Sequence, residues 1–186
     1  MRSFDLLIVG SGPAGVQAAL RARQAGRSVA VIERRALLGG SCIHTGTVPS
    51  KTLRQAVIDL SGFRHWGLYR ESPIQRPRLP MKDLRDRFMK VIAQEVVFQE
   101  ELFAGRGIEA IRGEAVFEDD HVLAVEGEDG REHVRGKAIL ITVGSAPYRP
   151  ANVPFDGRYV VDSDQLLVLP ELPRSLTVVG GGVIGS

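Results

Sequence analysis

Phe4 to Val9 is a short, nearly continuous apolar run that stops at Gly10, the pattern of a strand buried on both faces of a parallel sheet. Pro13 then opens a different period. Ala14, Ala18, Ala19 and Ala22 fall on one side of a helix that Gly26 stops, with proline in the first turn, where its missing N–H leaves no intrahelical bond unmade. Ser28 to Ile32 is the next buried strand. Strand, tight glycine turn, helix and strand within about 30 residues predict a βαβ unit with a right-handed crossover.

Further along, Lys51 to Leu60 continues as a helix ending near Gly62, and residues 63 to 80, with Pro73, Pro77 and Pro80, read as a connecting loop. From Met81 the positions Leu84, Phe88, Val91, Ile92, Val96, Leu102 and Phe103 recur at helical spacing until Gly105, which is a core-packing stripe. After Gly107 the period changes to two. Ile108 to Arg112, Ala115 to Phe117, Val122 to Val125 and Arg131 to Arg135, with a turn at Glu128-Asp129-Gly130, predict a small antiparallel meander. Lys137 to Val143 returns to a continuous apolar strand ending in Gly144, and Leu176 to Val179 does the same before Gly180. The expected fold class is α/β: a Rossmann-like domain with a parallel sheet, helices and a small antiparallel β-meander.

Composition narrows the function classes. The chain has 186 residues, 44% hydrophobic and 25% charged, enough to bury a full core as one domain, or one domain plus part of another. A formal charge of +2 is too balanced to announce a nucleic-acid or membrane partner. Cys42 is the only cysteine, which excludes an internal disulfide and a zinc site built on several thiolates, so no metal is expected. The N-terminal apolar run, broken by Asp5, lacks the length of a signal peptide, and no run approaches the roughly 18 residues that span a bilayer. The expectation is a soluble, cytoplasmic protein.

The chemistry begins in the segment GSGPAG, where Gly10, Gly12 and Gly15 have G-x-G-x-x-G spacing. Gly10 permits the turn, Gly12 lets backbone amides reach a pyrophosphate, and Gly15 allows helix to pack on strand. The following helix N-terminus faces the anion. Alone, such a pattern is also met in ordinary turns. Here it follows a strand, opens a helix, and is answered by Glu33, 23 positions after Gly10, where a carboxylate binds ribose hydroxyls. Elsewhere Glu33 would read as a solvated charge.

The stretch GGSCIHTGTVPSKTLR, Gly39 to Arg54, resembles the redox segment of the flavoprotein disulfide reductase family, to which dihydrolipoamide dehydrogenase and glutathione reductase belong. The match to G-G-x-C-x-x-x-x-C-x-P-S-K holds at Gly39, Gly40, Cys42, Pro49, Ser50 and Lys51, and fails at the second cysteine, which is Thr47. With no partner thiol, dithiol chemistry is excluded at this site. One cysteine followed by G-T-x-P-S-K-x-L-R, His44, the GSAPYRP stretch from Gly144 to Pro150 and VVDSDQLL from Val160 to Leu167 are similar to the Si-specific pyridine-nucleotide transhydrogenase branch of that family.

The resemblance implies an FAD-binding domain over residues 1–150, a connection over 151–175 and, at 176–186, the truncated start of an NAD(P)-binding domain. It implies FAD held by Gly10, Gly12, Pro13, Ala14, Gly15, Glu33, Arg34, Gly39, Gly40, Ser41, Cys42, Thr47, Lys51, Ala115, Thr142 and Gly144. Lys51 carries the catalytic assignment, its positive charge stabilising the anionic reduced ring. Gly180, Gly182 and Gly185 repeat the glycine spacing after Leu176 to Val179 and imply a nicotinamide-nucleotide site only begun. The implied function is an oxidoreductase that moves hydride between NADPH and NAD+ through FAD, homodimeric as a whole protein of which this chain is an N-terminal part, inactive by itself.

Other readings stay open at this point. The chain can be a module that holds FAD or only its ADP portion and catalyses nothing, or part of a diaphorase or another reductase, dihydrolipoamide dehydrogenase-like or acting on quinones or metal ions, with a different acceptor. Cys42 can be a small residue packed beside the flavin or a reactive thiol, and His44 a polar contact or an acid-base group. Trp66 and the Arg34-Arg35 pair can be surface features, although Arg34 directly follows the ribose carboxylate.

Overall fold

The computed structural model describes residues 1–61 and 80–185; the expected loop over 63–79 and Trp66 lie outside the described residues. The elements, in order, are β1 (Arg2–Val9), α1 (Pro13–Gln24), β2 (Val29–Glu33), α2 (Gly40–His44), α3 (Thr47–Ser61), α4 (Met81–Arg106), β3 (Glu109–Arg112), β4 (Glu114–Asp119), β5 (Val122–Gly127), β6 (Gly130–Ile141) and α5 (Ser163–Leu166). They fall into two compact units, one made of Met1–His44 with Ala93–Ser145 and the other of Thr45–Ile92 with Ala146–Ser186.

The first unit holds a six-stranded sheet in the order β3-β2-β1-β6-β5-β4. The predicted βαβ unit is present: β1 and β2 run parallel, in register from Leu6↔Val29 to Val9↔Ile32. Because side chains alternate along a strand, each strand feeds two cores. Ile8, Val29 and Val31 pack with Val16 and Ala19 of α1 and with Leu38, Phe103 and Ile108. Leu7, Ala30 and Ile32 pack instead with Ile111, Leu123, Val125 and Val134. One face is thus covered by helices and the other by the antiparallel ribbon.

Three expected strands are rearranged. Residues 108–112 are not part of the meander: β3 pairs parallel with β2, from Ala30↔Glu109 to Glu33↔Arg112. The strands expected at Arg131 to Arg135 and Lys137 to Val143 are one strand, β6. Its first half pairs antiparallel with β5, Leu123↔Val134 among the partners, and its second half runs parallel to β1 as far as Val9↔Ile141. Gly136 and Lys137 interrupt the apolar pattern without interrupting the strand. A Cβ at Gly136 would stand 2.9 Å from the Leu7 side chain, so glycine there serves close packing and not a turn. The expected hairpin turn is present, with Gly127↔Gly130 closing a two-residue loop and Gly130 at φ +110°.

In the second unit, α3 starts at Thr47, four residues earlier than predicted, and Leu53 and Ala56 of α3 pack with Met81 and Leu84 of α4. Along α4, Leu84, Phe88 and Ile92 in this unit and Val96 and Phe103 in the first are buried, while Val91 and Leu102 of the predicted stripe are half-buried. The expected strand Leu176 to Val179 does not form. These residues have no strand partner, and Val179 is 97% exposed. Apolar composition supplies strand propensity, but a strand exists only where a neighbour pairs its backbone. Residues 151–175 contain one unpredicted helix, α5, closed at its start by a capping box between Asp162 and Gln165.

Candidate functional site

The glycine loop between β1 and α1 is shaped by sterics. Gly10 has φ +106°, and a Cβ there would stand 2.4 Å from the Thr142 carbonyl oxygen. A Cβ on Gly15 would stand 2.1 Å from the Gly10 carbonyl oxygen. Only glycine fits at either position. Thr142 seals the turn: its N–H donates to the Val9 carbonyl at 2.8 Å, and its hydroxyl lies 3.0 Å from the carbonyls of both Val9 and Gly10. Gly12 is different, because nothing lies within 4 Å of a Cβ built there. The loop opens onto free space at that point.

Gly12 is also the N-cap of α1, with Pro13 in the first turn, no side-chain cap and no acidic residue in that turn. The first-turn N–H groups and the positive end of the helix dipole are therefore unopposed. Pro13 and Ala14 are exposed. An oxyanion seated over Gly12 would meet the Ala14 and Gly15 amides of the first turn and no acidic side chain from that turn.

Glu33 ends β2 and is buried. Its Oε2 accepts from the Ser11 N–H at 3.0 Å and the Ser11 hydroxyl at 2.6 Å, and its Oε1 accepts from the Arg35 N–H at 3.0 Å. Burial opposes ionisation, but these hydrogen bonds and the Arg35 charge outweigh it and hold the carboxyl below its ordinary range. The acid is an anion held by the loop it faces. Arg34, which follows, is exposed.

Gly39 and Gly40, with φ +115° and +60°, lead into α2. A Cβ on Gly40 would stand 2.8 Å from the Cα of Gly12, so this turn is pressed against the glycine loop. The Gly39 N–H donates to the Ser11 hydroxyl at 3.0 Å. Ser41 is exposed and Cys42 half-buried on α2, while His44 Nε2 bonds to the Leu38 carbonyl at 2.8 Å. Ala115, on β4 opposite Val125, is half-buried. Gly144 has φ +73° and open space around it.

The first unit thus brings together Gly10, Gly12, Gly15, Glu33, Gly39, Gly40 and Thr142. Thr47 and Lys51 belong to the second unit, both exposed on α3. So do Gly180, Gly182 and Gly185. Gly180 has φ +118°, a Cβ on Gly185 would stand 2.1 Å from the Gly180 carbonyl oxygen, and nothing lies within 4 Å of a Cβ on Gly182. Sequence reasoning missed Ser11. A serine just before a helix suggests a cap, yet the cap is Gly12, and the Ser11 hydroxyl is turned to Glu33 and Gly39. Among the described residues no cluster of His, Cys, Asp or Glu could hold a metal ion, and no helix is long and apolar enough to cross a membrane.

Comparison with known proteins shows the family. Residues 4–186 match the family described as pyridine nucleotide-disulphide oxidoreductase. The chain is 44% identical over its full length to a soluble pyridine nucleotide transhydrogenase of Mycobacterium tuberculosis, and 40% identical over 99% of its length to one of Marinomonas sp.. It spans about 40% of the length of these relatives. Among solved structures it is similar to the HOCl-induced flavoprotein disulfide reductase RclA from Escherichia coli, with a TM-score of 0.78 and 30% identity, covering 97% of this chain and 38% of that one.

Proposed function

The chain belongs to the pyridine nucleotide-disulphide oxidoreductase family, and on that premise we propose that it is the FAD-binding part of a soluble pyridine nucleotide transhydrogenase. In this reading, hydride from NADPH passes to NAD+, giving NADP+ and NADH, with no protein thiol in the path. The observation that carries it is the glycine loop with its buried, ionised Glu33: a cradle open at Gly12, positive in its backbone, with a carboxylate beside it. That pairing suits a dinucleotide, whose pyrophosphate needs the first and whose ribose diol needs the second.

The residues divide the work. Gly10 and Gly15 let α1 approach, and the Ala14 and Gly15 N–H groups that follow Pro13 would take the pyrophosphate, with Ala14 keeping that surface small. Glu33 would accept from the adenosine ribose with Arg34 flanking it, and Ala115 would help to hold the adenosine end. Gly39, Gly40, Ser41, Cys42, Thr142 and Gly144 line the remainder, and Thr47 stands where a second thiol would be needed for disulfide chemistry. When bound, FAD supplies the two-electron chemistry. Lys51, exposed on α3, would supply fixed positive charge to the bound flavin. Gly180, Gly182 and Gly185 belong to the nicotinamide-nucleotide site, and the whole protein is a cytoplasmic homodimer. The domain limits 1–150, 151–175 and 176–186 follow from the same assignment.

Two features favour transhydrogenation over disulfide reduction: the relatives' names, and the single cysteine. The test is whether full-length protein, with Cys42 replaced by alanine, still reduces thio-NAD+ at the expense of NADPH with ping-pong kinetics. Retained turnover is expected, and its loss in Cys42→Ala overturns the thiol-free route.

A further inference from the structure

We propose that Ser11 is a positioning residue: its hydroxyl fixes the Glu33 carboxylate in the orientation that receives the adenosine ribose and ties it to the Gly39 turn. This rests on the assignment of Glu33 to the ribose made above.

Ser11 is fully buried and is one of two buried polar residues of the described chain, the other being Glu33. A hydroxyl has one proton to give. Ser11 gives it to Glu33 Oε2 at 2.6 Å and takes the Gly39 N–H at 3.0 Å, so its rotor is fixed from both sides. It is not a helix cap, because α1 begins at Gly12 with no side-chain cap bond.

The lone pairs show what this fixing achieves. A carboxylate has about four acceptor sites, two on each oxygen. Oε2 takes two bonds, both from Ser11, and is filled. Oε1 takes one, from the Arg35 N–H, and keeps one site for an outside donor. Ser11 therefore decides which oxygen is left to meet a ribose hydroxyl. Without its hydroxyl, Oε2 retains only the Ser11 amide, the carboxylate can rotate, and the buried Gly39 N–H loses its acceptor.

The experiment compares FAD with an FAD analogue lacking the adenosine 2′- and 3′-hydroxyls, each titrated by flavin fluorescence into apoprotein of the full chain. Ser11→Ala is expected to weaken FAD binding about tenfold and to change binding of the analogue by less than about twofold. Equal weakening of both ligands makes Ser11 a structural residue only and overturns the inference. Glu33→Gln is the control: if it weakens both ligands equally, the ribose assignment itself falls, whereas discrimination in Glu33→Gln without discrimination in Ser11→Ala removes only the role given to Ser11. Should Ser11→Ala not fold, Ser11→Cys, with a weaker donor, carries the same test. An intermediate loss confined to FAD supports the inference, and an equal loss for both ligands overturns it.

Discussion

The two glycine loops of this chain have the same local shape and opposite surroundings. Gly10 and Gly180 both take a positive φ, near +106° and +118°. In each loop the last glycine is pressed to the same degree against the carbonyl of the first, and the middle glycine opens onto free space. Around the first loop, β1 is paired on both sides by β2 and β6, α1 runs for 12 residues, and Glu33 closes the site. Around the second, Val178 and Val179 are exposed and no strand or helix adjoins among the described residues. The conformation of such a loop is thus a local matter of spacing and missing Cβ atoms, while its capacity to hold an anion comes from the amides and dipole of a following helix that the sheet holds in place.

The widest gap between the loops is expected from one substitution made in each. Gly15→Ala drives a Cβ into the Gly10 carbonyl between two packed elements and should destabilise the fold by about 1–3 kcal/mol and release flavin. Gly185→Ala meets an equally close contact in an exposed segment and should leave the melting temperature unchanged. Thermal denaturation of both variants checks this, and equal losses would break the comparison.

A second contrast lies within the first unit. Glu33→Ala should weaken FAD retention through gel filtration by about 1.5–3 kcal/mol, the worth of hydrogen bonds to a charged group. Cys42→Ser replaces a half-buried thiol by a near isostere and should retain the flavin. Equal loss in both would count against the assigned roles.

The ionisation of Glu33 sharpens the same point. Its folded pKa lies below its ordinary value, about 4.3, so its contribution to stability is complete above that value and lost as pH falls through the folded one. The charged group acting on it is Arg35; Arg112, its register partner on β3, is itself paired with Glu100 at 3.2 Å. The stability difference between wild type and Glu33→Gln should be constant above about pH 5 and shrink below it, as read from denaturant midpoints across that range. A difference independent of pH would remove the ionised acid from the account.

The smallest effect is expected in the second unit. Asp162 accepts from the Gln165 N–H and pairs with Arg149, Nε to Oδ2 being 2.7 Å. Asp162→Ala should cost about 1 kcal/mol, the ordinary worth of an N-cap, and leave FAD affinity unchanged in a titration.

What the sequence made legible follows the range of the interactions. The β1-α1-β2 unit shows in the order of residues because periods of 2 and 3.6 are local, and Glu33 shows because it follows a strand at a fixed distance from Gly10. The fate of residues 108–112 depends on pairing with β2, far back in the chain, and nothing in Ile108 to Arg112 declares it. Gly136 looks like a break until Leu7 is seen beneath it. Leu176 to Val179 has the composition of a strand, but composition does not reveal a missing partner. Ser11 escaped notice because its hydroxyl finds its acceptor 22 positions later.

The hairpin turn at Glu128 and Asp129 acts as a ruler. Since β6 is a single strand shared by β5 and β1, the register the turn sets against β5 must agree with the register against β1 that brings Thr142 to Gly10. A slip of one residue there would turn every side chain of β6 to the opposite face and withdraw the Thr142 hydroxyl from the carbonyls it bridges. A turn far from the glycine loop in sequence is thus tied to it through one strand, and an insertion there should be read for its effect on that loop.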